Sequence, residues 1–478
     1  EMSASLVGSE MCIRDSDYNF SSGSRGRGNL SSTANPYFLF PQIYNFRYNI
    51  YSSEWPVANR AIELYLQKKS ENEGWERQIN GLSNNEKANL LLEKHTFKEL
   101  LADVEQRNLQ NNIVGLEASR LFARSEINMG VDAFRDSLYA MLKRNTFLNI
   151  KFENMLDTLG EMSRTDLYSY LKEWEQLTPL PFYSIGEPEL TKVVNKGGEE
   201  FFVLKVLVSN NSDYDGIIQM NVLQNGWWYQ PMEDPRARKK VEIAAHTSKE
   251  FVSVWEEQIR DVEINTMVSG NLPYMIRQSI GNVKQERNKI VKDTIYTLPE
   301  SSLEMPGEVI VDNEDSTLFV LSTPAVVGLL PKWLDKVEDT SFKYSGISWW
   351  RAPLQWTATT NAKYYGKYIR SAYVIKSGDG SQTATWKIPV PEAGQYELYY
   401  HVFKDDELRW NDRLQGEYHF RVAYDSEMED AYINLRKANE GWEQLGTYYF
   451  SADTVRVMLT DECKLRSVTA DAVKIVKR

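Results

Sequence analysis

The chain has 478 residues, of which 42% are hydrophobic and 26% are charged, and it carries a formal net charge of −12. This length is enough for about two to four domains of ordinary size. An acidic chain is poorly suited to neutralising phosphate backbones, so we exclude nucleic acid as its main partner. The longest apolar stretch, from Ala325 to Pro331, is far shorter than the roughly 20 residues of a membrane-spanning helix. The sequence therefore predicts no membrane span.

The chain contains no recognisable catalytic or metal-binding motif. Its two cysteines, Cys12 and Cys463, form neither a disulfide framework nor a Cys-x-x-Cys pair. None of the four histidines belongs to a His-Glu-x-x-His zinc helix. The sequence also lacks a Gly-x-Ser-x-Gly elbow and a phosphate-binding P-loop. We therefore predict no catalytic residue, no metal site and no cofactor in this chain.

Residues 1–35 are expected to lie outside the natural fold. The string LVGSEMCIRDS resembles a translated sequencing-adapter read-through, and the chain opens on Glu1 in place of an initiator Met, which is typical of a reading frame cut at a contig edge. The alternative is a natural flexible N-terminus. The Gly/Ser-rich run that follows has no apolar period and predicts a mobile segment.

Residues 36–181 are predicted to be mainly helical. Two segments match the capping box, in which a hydroxyl and a carboxylate satisfy reciprocal backbone donors: Ser83-x-x-Glu86 and Thr96-x-x-Glu99. A later segment, which Ser163 and Asp166 are predicted to cap, places four apolar side chains on one helical face: Leu167, Tyr170, Leu171 and Trp174. Pro179 and Pro181 end this helix. Together these patterns predict a small helical bundle.

Beyond Pro181 the hydrophobic period changes from that of a helix to that of a strand. The runs EFFVLKVLVSN and GIIQMNVLQNG alternate and are separated by turn residues, which predicts a hairpin in an immunoglobulin-like β-domain over residues 182–290. Several short alternating strands with Gly turns then predict a β-sandwich over residues 305–478. The predicted fold class is a multidomain α+β chain: a helical bundle, an immunoglobulin-like β-domain and a C-terminal β-sandwich.

The C-terminal region, from about Pro306 to Arg478, resembles the golvesin/Xly carbohydrate-binding-like domain. The resemblance rests on five segments in the family order: EVIVDNEDSTLF, YYGKYIRSAYV, ATWKIPVPEAGQYELYYHV, GWEQLGTYYF and VTADAVKIV. It implies a β-sandwich appended to a secreted enzyme or surface protein, with carbohydrate or cell-wall binding as the proposed role. A Trp-containing insertion between Phe319 and Trp356 departs from the family pattern.

The upstream regions resemble aminopeptidase-N-like zinc metallopeptidases. The segments GLEASRLFARSEINMG and FENMLDTLGEMSRTDLYSYLKEWEQLTPLPFYSI are similar to the helical region that follows the catalytic domain, and KVLVSNNSDYDGIIQMNV is similar to the β-domain after it. The resemblance implies that the zinc-binding motif would lie N-terminal to these segments. No catalytic residue of this chain is identified by it.

The candidate ligand-binding residues are aromatic: Trp349, Trp350, Trp356, Tyr364 and Tyr365. Exposed rings offer flat apolar surfaces to the C–H faces of sugars, and core packing is the alternative for each. Trp386 and Trp442 are assigned to the core, and His401 to the exposed alternate of a strand. The oxygens from Asp312 to Asp315 suit Ca²⁺, but they lack the EF-hand spacing and favour a hydrogen-bonded turn.

Three functions are compatible with these residues. The first is a non-catalytic C-terminal part of a secreted bacterial protein, extracellular, on the cell surface or periplasmic, whose module binds polysaccharide or cell wall. The second is a fragment of a zinc metallopeptidase that lacks its catalytic domain. The third is a structural spacer without a ligand. The residues give no indication of oligomeric state.

Overall fold

The computed structural model describes residues 48–66, 73–223, 234–281, 283–287, 291–301, 303, 307–322, 342–347, 352–404 and 416–478. Residues 1–35, which the sequence predicts to lie outside the natural fold, are not among the described residues. The described chain is mostly β-sheet arranged in several sheets, which confirms the predicted β-sandwich character. None of the described helices combines the length and apolarity that crossing a bilayer requires.

The N-terminal region is built from helices around one hydrophobic core. They are α1 (Ala58–Leu66), α2 (Glu73–Asn80), α3 (Asn84–Leu92), α4 (Phe97–Ala102), α5 (Gln110–Met129), α6 (Val131–Arg144), α7 (Phe152–Ser163) and α8 (Leu167–Lys172). Two short strands, β1 (Asn49–Tyr51) and β2 (Asn149–Lys151), pair in parallel within this region. The structure therefore shows helices with a small sheet, and the bundle architecture stays a prediction.

Local capping explains where several helices begin. Both predicted capping boxes are present, at the starts of α3 and α4. The prediction for α8 is only half right, because Asp166 accepts the Ser169 backbone N–H while Ser163 ends the preceding helix. The predicted long helix is shorter than its apolar period, since it tightens into a 3₁₀ turn at Glu173–Glu175.

The middle region consists of two sheets that enclose a second core. The strands are β3 (Tyr183–Ile185), β4 (Glu189–Val194), β5 (Glu200–Asn210), β6 (Gly216–Leu223), β7 (Arg238–Ile243), β8 (Thr247–Trp255), β9 (Asp261–Asn265), β10 (Met275–Ser279), β11 (Val283–Arg287) and β12 (Thr294–Pro299). One sheet has the order β10-β9-β6-β7, and the other has β11-β4-β5-β8-β12 with β3 paired to β5. The immunoglobulin-like description stays a prediction.

The predicted hairpin between β5 and β6 is wrong. Both strands exist, but β5 pairs with β4 and β8 while β6 belongs to the other sheet. Asn210 fixes this sheet-to-sheet connection, because its Nδ2 donates to the carbonyls of Tyr214 at 2.7 Å and Ile243 at 3.0 Å. The middle sheet also continues past the predicted end at residue 290, since β12 pairs with β8.

The C-terminal region forms a third core between two main sheets and a smaller one. The strands are β13 (Glu308–Val311), β14 (Phe319–Leu321), β15 (Thr357–Thr360), β16 (Ser371–Lys376), β17 (Thr383–Pro389), β18 (Gly394–Val402), β19 (Glu417–Tyr424), β20 (Glu427–Asn434), β21 (Gly441–Phe450), β22 (Thr454–Thr460), β23 (Ser467–Ala470) and β24 (Val473–Lys477). The sheet orders are β13-β24-β18-β21, β14-β17-β22-β19-β20 and β15-β16-β23.

A small fourth core joins the three regions. It contains one residue of the helical region, one of the middle region and two of the C-terminal region: Leu82, Leu272, Tyr344 and Ala358. Gly81 beside it has a φ of 79°, and a Cβ there would lie 2.3 Å from the Ser345 carbonyl carbon, so a side chain is excluded. The regions thus share packed surface, and the exact domain boundaries stay a prediction.

Candidate functional site

The outer face of the sheet β13-β24-β18-β21 carries a cluster of aromatic and charged side chains. In β18, Tyr396, Leu398 and Tyr400 are buried in the C-terminal core, while Tyr399 and His401 alternate to the opposite face. This alternation follows from the period of two in the sequence. The sandwich core therefore holds the backbone from which the outer side chains project.

A buried carboxylate fixes the His401 ring. The Nδ1 atom of His401 lies 2.9 Å from Oδ2 of Asp471, whose side chain is fully buried. Both carboxylate oxygens of Asp471 also accept the Tyr365 backbone N–H, at 3.1 and 3.2 Å. Burial raises the pKa of Asp471, and the neighbouring His401 opposes that rise. The interaction orients His401 and ties the loop of Tyr365 to the sheet.

Three rings contact one another above this carboxylate. The Trp442 ring centroid is 5.0 Å from that of Tyr365 and 5.1 Å from that of His401, and the Tyr365 and His401 centroids are 5.8 Å apart. Trp442 lies directly opposite His401 in the β18–β21 pairing and is partly exposed. We call Tyr365, His401 and Trp442 the aromatic platform.

A lysine borders the platform. The Lys474 Nζ atom lies 4.9 Å from the Trp442 ring centroid and 5.4 Å from that of Tyr399. Glu308 holds the same ammonium at 2.8 Å. These contacts place a fixed positive charge beside partly exposed rings.

The edge strand β21 extends this face away from the platform. Gln444, Thr447 and Tyr449 are exposed along it, and the Tyr449 side chain has 61% of its surface accessible. Gln444 Nε2 donates to Thr447 Oγ1 at 3.2 Å. From Trp442 to Tyr449 the strand spans about 20 Å. The face therefore offers rings at both ends with amide and hydroxyl groups between them.

Two other predicted ligand-binding residues, Tyr364 and Trp356, do not join the platform. Tyr364 is buried and packs edge-on against Phe403 with centroids 4.7 Å apart. Trp356 packs against the C-terminal core, and its buried Nε1 has no hydrogen-bond partner in the described part of the chain. Trp349 and Trp350 lie outside the described residues. Of the three candidates that the structure describes, Tyr365 is the one that lies at the platform.

The sequence patterns do not predict the positions of two platform residues, Trp442 and His401. Trp442 was assigned to the core, but it lies on the outer face; Trp386 is buried in the core as assigned. His401 does project from the outer face, but it is mostly covered instead of exposed. The pairing of His401 with Trp442 depends on a register shift between Leu398 and Tyr399, which strand alternation does not reveal.

The oxygen-rich segment after β13 forms a turn. Asp315 Oδ2 accepts the Asp312 backbone N–H at 2.9 Å, and Glu314 Oε1 accepts the Tyr344 hydroxyl at 3.1 Å. Glu314 Oε1 also accepts a hydrogen bond from the Ser371 hydroxyl. These carboxylates are used in internal hydrogen bonds, in agreement with the turn interpretation.

Asp312 gives this region a pH-dependent stability. Burial raises its pKa well above the ordinary value, and the nearby Asp471 adds to the effect. An acid that binds its proton more tightly when folded stabilises the fold at low pH, and this contribution is lost as pH rises from about 4 toward the raised folded-state pKa. We expect Asp312→Asn to show a smaller fall in the free energy of unfolding as pH rises. Above the folded-state pKa of Asp312, the variant should be more stable than the parent. Urea unfolding between pH 4 and 8 measures this.

Asp379→Asn is the matched control for that series. Asp379 is exposed, and its hydrogen bonds to Ser381 lower its pKa, so its contribution has the opposite sign. Equal pH slopes for the parent and Asp312→Asn would contradict the assignment.

Comparison with known proteins identifies a family match in the C-terminal region. Residues 350–477 match the family model of the Golvesin C-terminal domain. Among solved structures, the chain is similar to a Paenibacillus xanthan lyase at 17% identity and a TM-score of 0.26, over 63% of this chain and 27% of that chain. It is also similar to a calcium-binding mutant of Bacteroides uniformis beta-glucuronidase 2 at 11% identity and a TM-score of 0.18, over 65% of this chain and 32% of that chain.

The chain spans less than one third of the length of either enzyme. No curated protein matches it significantly. The resemblance of the upstream regions to aminopeptidase-N-like metallopeptidases is not shown by these comparisons and stays a prediction. The resemblance of the C-terminal region is confirmed: residues 350–477 are similar to the Golvesin C-terminal domain.

Proposed function

We propose that the C-terminal region is a non-catalytic module that binds polysaccharide and attaches a larger secreted bacterial protein to it. The observation that carries this proposal is the aromatic platform: Tyr365, His401 and Trp442 in mutual contact on an open sheet face, above a buried carboxylate. The match of residues 350–477 to the Golvesin C-terminal domain supports it, because the sequence of this region resembles the golvesin/Xly carbohydrate-binding-like domain. The proposed setting is extracellular, on the cell surface or periplasmic.

The platform suits the chemistry of a sugar ring. The C–H face of a pyranose packs on an indole or phenol ring, and polar groups fix its orientation. With Nδ1 engaged by Asp471, the other ring nitrogen of His401 is left for a sugar hydroxyl. Gln444 and Thr447 supply further donors and acceptors along the same face. An open face about 20 Å long suits a polymer chain that continues past both ends.

Rigidity favours binding at this face. Ordering a flexible side chain on binding costs about 0.5 to 1.5 kcal/mol, so rings held in place beforehand lose less. Trp442 is held by Lys474 and His401, and Tyr365 by its backbone bond to Asp471. The platform is therefore largely preorganised.

The direct test is Trp442→Ala in the full chain. We expect retention on the polysaccharide that the parent binds to fall about 10-fold or more, which corresponds to about 1.4 kcal/mol of binding free energy. Pull-down on insoluble polysaccharides and cell-wall preparations measures retention, and thermal melts check folding. A partly exposed ring should leave the melting temperature nearly unchanged.

Tyr296→Ala is the matched control, because Tyr296 is an exposed ring in the middle region. It should bind like the parent. Equal binding by Trp442→Ala and the parent would place the site elsewhere. A parent that binds none of the materials would instead favour the spacer function.

A further inference from the structure

The second main sheet of the C-terminal region also has an exposed outer face. In β17 and β22 the inward side chains Trp386, Ile388 and Val457 are fully buried in the core. Lys387 and Arg456 alternate to the outer side, and Arg456 is exposed. This face lies across the sandwich from the aromatic platform.

Two positive charges stand directly opposite each other on this face. Lys387 pairs with Arg456 in the antiparallel register of β17 and β22, so their Cβ atoms are about 5 Å apart. Like charges in this position destabilise a sheet. Within the described residues, neither side chain has an ion-pair partner. An anion bound between the two side chains would relieve this repulsion.

A third basic residue extends the patch. Arg421 in β19 lies opposite Met458, one outer-face position along β22 from Arg456. Its Nε is 3.9 Å from Oδ1 of Asp430, which lies opposite it in β20, so the two side chains form a long ion pair. We call Lys387, Arg421 and Arg456 the basic patch. These three cations outnumber the carboxylates of Asp430 and Glu462 near them, and in a chain of net charge −12 the unpaired Lys387 and Arg456 indicate an anionic ligand at this place.

A rigid exposed ring lies beside the basic patch. Tyr432 in β20 has 58% of its surface accessible, and it stacks on His419 with centroids 4.8 Å apart and an interplanar angle of 8°. His419 is itself held by Asp430 at 2.7 Å and Glu462 at 3.0 Å. One face of the Tyr432 ring is thus supported from below, and the exposed side is available for stacking.

We infer that this second face binds a carboxylate-bearing polysaccharide. The guanidinium groups of Arg456 and Arg421 suit carboxylates, which they bind in a bidentate manner, and Lys387 adds a point charge. Tyr432 packs on a sugar ring. Strand spacing puts Tyr432 on the order of 15 Å from Arg456, which several consecutive sugar units span but one does not. The ligand is therefore a polymer of acidic sugars.

This inference goes beyond the proposed function, because it concerns a different surface and a charged ligand. The probe is polygalacturonate, and its highly methyl-esterified form is the neutral control with the same backbone. We expect the full chain to bind polygalacturonate, to bind the ester at least 10-fold more weakly, and to lose affinity as salt is raised. Affinity electrophoresis and calorimetry measure both ligands.

The decisive variant is Arg456→Ala combined with Lys387→Ala. It should weaken binding of polygalacturonate at least 10-fold while leaving the melting temperature equal or higher, since a like-charge pair is removed. The affinity of Arg456→Lys for polygalacturonate should lie between those of the parent and the double variant, because lysine keeps the charge but cannot bind a carboxylate in a bidentate manner. Arg238→Ala, an exposed arginine of the middle region, should bind like the parent.

Three results would overturn the inference: no binding of polygalacturonate by the parent, equal binding of its methyl ester, or unchanged binding by the double variant. If the double variant lost as much affinity for dextran sulfate as for polygalacturonate, the face would bind polyanions in general, and the specificity for carboxylates would be overturned. Trp442→Ala separates the two proposals, because it should leave polygalacturonate binding intact even if it abolishes binding at the platform.

Discussion

Replacing Trp386 by alanine is expected to lower the free energy of unfolding by about 3 to 5 kcal/mol. The Trp386 side chain has 0% of its surface exposed and packs against Phe319 at 5.3 Å and Tyr400 at 6.1 Å between ring centroids. Alanine would leave a cavity that the surrounding strands close only in part. Urea unfolding followed by tryptophan fluorescence and circular dichroism measures the change.

The same substitution should also disturb the platform. Trp386 Nε1 donates to the backbone carbonyl of Asp471 at 3.3 Å, and the Asp471 carboxylate holds His401. Trp386→Ala should therefore reduce both stability and binding, whereas Trp442→Ala should reduce binding alone. Tyr296→Ala, an exposed ring of the middle region, controls for loss of an aromatic side chain. A loss below about 1 kcal/mol for Trp386→Ala would contradict the assigned packing.

Strand alternation predicted much of the C-terminal sheet structure. Residues that alternate between apolar and polar along β18 do point to the core and to the outer face, as the period of two requires. Alternation says which residues share a face, but it does not say which strands pair. The β5 and β6 runs would look the same in a hairpin and in a connection between two sheets. That is why both strands were found and their hairpin was not.

The candidate site was harder to predict because it depends on contacts far apart in sequence. His401 and Asp471 are separated by 70 positions, and nothing in either local pattern indicates that they meet. The aromatic composition of this segment predicts both Tyr364 and Tyr365 as ligand-binding residues. The structure buries Tyr364 and places Tyr365 at the platform. Trp442 was misassigned because the register shift in β18 decides its neighbours.

Removing the Glu126 carboxylate should have a comparable effect on the helical region. Glu126 in α5 is fully buried, accepts the Tyr65 hydroxyl at 2.8 Å and pairs with the ammonium of Lys240 in β7. The Lys240 side chain is only 8% exposed. Burial raises the pKa of the Tyr65 hydroxyl, and the Glu126 charge adds to this, so Tyr65 stays a neutral donor. The ion pair connects the helical region to the middle region.

We expect Glu126→Ala to lower the free energy of unfolding by about 3 to 5 kcal/mol, because it leaves the buried Lys240 ammonium without its partner. The cost comes mainly from that uncompensated charge. The double variant Glu126→Leu with Lys240→Met should therefore recover the part of the loss that comes from this charge, since apolar groups of similar size replace both charges, while the Tyr65 hydroxyl stays without its acceptor. A double-mutant cycle with Glu126→Leu, Lys240→Met and the pair, measured by urea unfolding, isolates the coupling.

Arg124 and Glu242 provide the matched comparison for this cycle. They join the same two elements at 2.9 Å, but both side chains are partly exposed, so their coupling should be below about 1 kcal/mol. If the Glu126 and Arg124 cycles gave equal coupling, burial would not be what distinguishes the two pairs. If the apolar double variant were as unstable as Glu126→Ala, the lost acceptor of the Tyr65 hydroxyl and the packing around Lys240, and not the Lys240 charge, would account for the loss.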